Sequence, residues 1–171
     1  MRFIQDDGGR LRAGWKGTRA GDCVPRAITI ATGHWQYVAD GQHYRNVRNV
    51  LDALCKEMTG GLTASSNRGT PTPVSHKYMT GRGWELVLTK GKYLKDLPES
   101  GTFVACLTRH YVAVIDNVLY DTWDSRHSNR TKCGSPPMKG YYRYDASRKI
   151  DKINKEFNKI LDEHDLRRFI R

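Results

Sequence analysis

The sequence predicts an α+β domain in which N-terminal helices pack on an antiparallel sheet, with a C-terminal amphipathic helix appended. Three observations predict it. Apolar residues recur at helical spacing near the N-terminus, at Val24, Ala27, Ile28 and Ala31 and again at Val47, Val50, Leu51 and Leu54. Three consecutive runs, 102–107, 110–115 and 118–122, are rich in β-branched and aromatic residues and are separated by short polar turns. Beyond residue 145, Ile150, Ile153, Phe157, Ile160, Leu161 and Leu166 stand at helical intervals among charges.

Each element follows from local chemistry. Residues 1–20, glycine-rich and without apolar periodicity, read as a loop or a short edge strand. A helix opens near Cys23 and runs to Gly33; Pro25 fits its first turn, where a proline has no amide bond to lose. A second helix spans about 42–58 and ends at Gly60-Gly61. Residues 62–73 read as a loop, 74–80 as a short helix, 84–88 as a strand and 95–101 as a turn-rich connection. A last strand covers 141–144. The predicted division is one domain over 1–145 and the amphipathic helix over 146–171, packed on that domain or used for association.

Composition narrows the function. Lysine and arginine outnumber aspartate and glutamate by 29 to 18, giving a net charge of +11. That excess favours acidic partners, such as nucleic acid or an acidic protein or cell-wall substrate, without identifying one; a protein or peptide substrate is expected, and nucleic acid is not favoured, because no basic run is long enough for a nucleic-acid-binding arm. Cys23, Cys55, Cys106 and Cys133 are widely spaced, with no Cys-x-x-Cys pair, so reduced thiols and a cytoplasmic location are expected. Neither a signal peptide nor a membrane span is expected, and no cofactor is implied. A zinc site at Cys106, His110, His127 and Cys133 has plausible ligand types but loose spacing, so no metal is expected. The sequence does not give an oligomeric state.

The chemistry centres on Cys23. A thiol where a loop becomes a helix receives the partial positive charge of the helix N-terminus, which favours thiolate. Further along, Asp116-Asn117 forms a two-residue hairpin turn. With Ile115 opposite Val118, His110 falls opposite Trp123 and Val112 opposite Asp121. His110 and Asp121 then share a face as diagonal neighbours, while Asp124 points to the other face. A carboxylate-held imidazole is the base-and-orienter half of a cysteine triad, and the order Cys, His, acid is that of cysteine hydrolases.

Gly21-Asp22-Cys23 with Arg26-Ala27, and His110-Tyr111 before a valine-rich strand, resemble the Gly-Asn-Cys-x-x-Arg-Ala and His-Tyr motifs of ovarian-tumour (OTU) type deubiquitinases. The order Cys, His-Tyr-Val-Ala-Val, Asp is similar to the wider papain-like cysteine peptidase group. Asp6-Asp7-Gly8-Gly9, the stretch from Gly21 to Gly33, and Ala113 to Asp116 through Asp121-Thr122 also resemble phage and bacterial proteins of this type.

The resemblance implies a papain-like fold with Cys23 as nucleophile, His110 as general base and acid, and Asp121 as orienter. It further implies an oxyanion site at the backbone amide of Cys23 plus a second donor. Papain-like enzymes supply a glutamine before the cysteine; this chain has Lys16, Gly17, Thr18 and Arg19, leaving Thr18 or Arg19 as candidates, and Ala20 replaces the OTU aspartate. Candidate cleft residues are Asp22, Trp123, Asp124 and Arg130, with the basic loop through Lys139 as a rim. The implied activity is hydrolysis of a peptide, isopeptide or other amide bond through a thioester. The alternatives are acyl transfer with the same triad, or a phage-encoded basic protein that keeps the fold without catalysis and binds nucleic acid or a host protein.

Overall fold

The computed structural model describes residues 1–16, 21–33, 41–60, 69–126 and 137–144. The order is β1 (Arg2–Gln5), α1 (Cys23–Ala31), α2 (Gln42–Thr59), α3 (Thr72–Thr80), β2 (Trp84–Leu88), a 3-10 turn (Leu94–Asp96), β3 (Thr102–Leu107), β4 (His110–Ile115), β5 (Val118–Asp121) and β6 (Gly140–Tyr144). The protein is α+β. The expected C-terminal helix over 146–171 lies outside the described residues.

The sheet has six strands in the order β1-β5-β4-β3-β6-β2. It is mixed, not antiparallel as the sequence suggested. The predicted edge strand forms, but β1 runs parallel to β5, with Phe3 opposite Leu119 and Gln5 opposite Asp121. Local periodicity carries no information on the direction of a partner so distant in sequence. The hairpin register follows the turn: Ile115 faces Val118, Val114 faces Leu119 and Ala113 faces Tyr120. β3 is central, between β4 and β6, and Phe103 to Leu107 are all buried. Apolar side chains on both faces explain why this run does not alternate.

The two faces have separate cores. α1, α2 and α3 cover one, where Ile28, Leu51 and Met79 pack with Val104, Ala113 and Tyr142. The connection 89–101 covers the other, with Leu94 and Leu97 against Phe103, Val112, Val114 and Leu119.

α1 is buried nearly all round, and Thr29 satisfies its hydroxyl on the Pro25 carbonyl at 2.7 Å. The buried stripe of α2 is Tyr44, Val47, Leu51 and Cys55. Val50, expected on that face, is 37% exposed. α3 begins at Thr72, two residues earlier than the apolar pattern implied, because Pro73 is accommodated in the first turn. Among the described residues no helix is long and apolar enough to cross a membrane.

Candidate active site

Cys23 is the first residue of α1 and is half-buried. As the first helical residue, it has a backbone N–H without an intrahelical acceptor. α1 packs across β4, and its N-terminus meets the start of that strand, where His110 stands. The His110 imidazole lies close enough to the Cys23 thiol for the thiol to influence its protonation, and it is held by Asp121, with Nε2 2.6 Å from Oδ2. The second Asp121 oxygen accepts the Thr122 backbone N–H at 2.7 Å, so the carboxylate is fixed at both ends.

Burial disfavours a charged His110. The hydrogen bond to Asp121 and the influence of the neighbouring Asp121 and Cys23 side chains outweigh it and push the imidazole from 6.5 up to about 9. His110 therefore carries a proton at neutral pH. Trp123 stacks on the imidazole, with centroids 5.4 Å apart and planes 28° from parallel. The other described thiols differ: burial pushes Cys106 up to about 12 and raises Cys55. Both are inert thiols near neutrality.

A cleft of about 670 Å³ opens beside Cys23. Its floor is one row of the sheet's helix-covered face, Leu88, Gly140, Cys106 and Tyr111, which oppose one another across four strands. Its walls include the starts of α1 and α3, through Gly21, Val24 and Thr70 to Thr72. Tyr111 closes one part of the floor, its hydroxyl 3.2 Å from Ser75 Oγ.

The structure brings Cys23, His110 and Asp121 together. It distributes the expected cleft residues differently. Asp22 is fully buried, not a cleft residue: its carboxylate accepts the Tyr44 hydroxyl at 2.5 Å and lies 2.8 Å from Arg10 Nε and 3.4 Å from Arg26 Nε. Neither Nε–H is aligned for a hydrogen bond, so these two contacts are coulombic. Trp123 covers His110 rather than lining the cleft. Asp124 is held by Arg126, which also donates to the Met1 carbonyl at 2.6 Å, so this pair ties the segment after β5 to the N-terminus.

Thr18, Arg19 and Arg130 lie outside the described residues, as do His127 and Cys133 of the zinc alternative. Cys106 pairs with Tyr111 and His110 with Leu107, so Cys106 and His110 leave the sheet on opposite faces. Among the described residues no group of three potential ligands converges on a metal position.

Sequence reasoning missed two contributors. Arg26 ion-pairs with Asp22 and donates to Thr122 Oγ1 at 3.0 Å, linking the start of the cysteine helix to the residue that anchors Asp121. Arg109, in the turn before His110, borders the cleft at φ 60°. Its signal was a two-residue turn, Thr108-Arg109, without the glycine or asparagine such a turn favours.

No protein-family model matches the chain, and no curated protein or solved structure is significantly similar to it.

Proposed function

We propose that this protein is a papain-like cysteine hydrolase that cleaves a peptide, isopeptide or other amide bond through a thioester on Cys23. One observation carries the reading: Cys23 lines an open cleft beside His110, whose imidazole is held by Asp121 at 2.6 Å. A buried core cysteine has no use for an imidazole held by a carboxylate.

The chemistry follows from the proton on His110. With the thiol proton resident on the imidazole, Cys23 sulfur attacks the carbonyl carbon, a C–S bond forms, and the carbonyl electron pair moves to oxygen. The Cys23 backbone N–H is one donor to that oxygen. Collapse of the tetrahedral species breaks the C–N bond, and the departing amine takes the His110 proton. Water then attacks the thioester as His110 accepts its proton; the C–S bond breaks and the carboxylic acid leaves. Asp121 holds the ring and stabilises its charged form throughout. Acyl transfer would differ only in an amine replacing that water.

An activated ester tests the reading without knowledge of the natural substrate. p-Nitrophenyl acetate should acylate Cys23, visible by intact mass, and the adduct should hydrolyse. Acylation should vanish in Cys23→Ala, and release of the adduct should slow in His110→Ala. A folded protein that never acylates at Cys23, yet binds an acidic partner equally in both variants, would favour the non-catalytic scaffold.

A further inference from the structure

We propose that the cleft beside Cys23 selects an extended acidic peptide, placing a carboxylate side chain of the substrate between Arg109 and Lys139 and an adjacent apolar side chain over Leu86 and Leu88. The inference rests on the hydrolase reading and adds the substrate class.

The two cations border one end of the cleft from opposite sides of β3. Arg109 stands in the turn that carries β3 into β4, directly after the end of the Cys106-Leu107 segment. Lys139 donates its backbone N–H to the Cys106 carbonyl at 2.8 Å and leads into β6, the neighbour of β3 on its other side. Both side chains are exposed. No aspartate or glutamate lines the cleft among the described residues. The chain segments that adjoin its wall in sequence, 61–68 and 127–136, also contain none.

Arg109 keeps its bulky side chain at φ 60°, a conformation disfavoured for a residue with a Cβ. Strain of this kind concentrates at sites of recognition.

Apart from Thr70, Thr72 and Tyr111 on the wall and floor, the side chains that line the rest of the cleft are largely apolar. Leu86 and Leu88 lie on one face of β2 and line it together with Leu107 and Tyr142, and Leu88 is 78% exposed. Gly140 keeps the floor level opposite Leu88. A Cβ there would stand 2.7 Å from the Val87 carbonyl oxygen. A leucine-lined floor with cations at one end suits a peptide with neighbouring apolar and acidic residues. A nucleic-acid strand needs cations along its whole track and open aromatic platforms, whereas Tyr142 is buried and Tyr111 half-buried.

Two N-acetyl tripeptide vinyl sulfones that differ only in Glu against Lys test the inference, with adduct formation on Cys23 followed by intact mass. The Glu probe should react roughly tenfold faster than the Lys probe. That ratio should shrink in 1 M salt and fall toward one in Arg109→Asn/Lys139→Gln, where asparagine tolerates the positive φ. Because the ratio is internal to each protein, it is independent of any general change in reactivity. Modification of Cys23 without preference for Glu, or a ratio unchanged in the double variant, overturns the substrate class alone. Failure of both probes and of iodoacetamide to modify Cys23 overturns the hydrolase reading as well. A single-stranded oligonucleotide that blocks both probes equally, with the ratio at one, overturns the inference in favour of nucleic acid.

Discussion

Asp121 Oδ2 sits 2.6 Å from His110 Nε2, across one diagonal of the β4–β5 hairpin. This contact helps to raise the imidazole to about 9. In Asp121→Ala, His110 should titrate closer to its ordinary 6.5, read from the imidazole proton shifts by NMR. Acylation of Cys23 should fall by roughly a hundredfold or more. Asp121→Asn keeps a polar partner without the charge and should shift the titration in the same direction.

Stability should depend on pH with a defined sign. His110 has a folded value of about 9 against 6.5. Its contribution is fully present below pH 6.5 and is lost as pH rises through 9, a change of about 3 kcal/mol at most. Urea midpoints should fall over that interval, and His110→Asn should flatten the fall. Cys106, raised by burial from 9.0 to about 12, loses its contribution only above pH 9, so the fall between 6.5 and 9 is assigned to His110.

The register that pairs these residues was legible because a two-residue turn and strict alternation leave a hairpin little freedom. Asp22 was misread for the opposite reason. A charged residue next to the nucleophile reads as part of the cleft, and nothing local reveals Arg10 or Tyr44 arriving from elsewhere in the chain. The same limit hid the parallel pairing of β1 and the insertion of β6 between β3 and β2. Lys139 was legible as part of a basic loop, whereas Arg109 gained its meaning only from its place beside the cleft.

Asp22 anchors the cysteine helix, and its loss should be costly. Asp22→Asn removes the carboxylate charge that faces the Arg10 and Arg26 guanidinium groups, 10% and 13% exposed. Destabilisation of about 3–5 kcal/mol is expected in denaturant titrations. Tyr44→Phe removes a hydrogen bond to the same carboxylate and should cost about 1.5–3 kcal/mol.

Gly8 couples the N-terminal turn to the same helix. At φ +64°, a Cβ here would lie 2.9 Å from the Arg26 carbonyl oxygen. Gly8→Ala should lower stability by about 1–2 kcal/mol from backbone strain alone, with a further cost from the displaced α1. Slower alkylation of Cys23 in the folded variant, alongside a lower melting temperature, would register that displacement.

The most direct test of the Cys23–His110 pairing is the rate of iodoacetamide alkylation at pH 6, resolved by peptide mass mapping. In the wild-type protein Cys23 should react much faster than Cys55 and Cys106, whose thiols burial keeps protonated. In His110→Ala the Cys23 rate should drop by roughly a hundredfold. Equal rates at Cys23 with and without His110 would contradict the account.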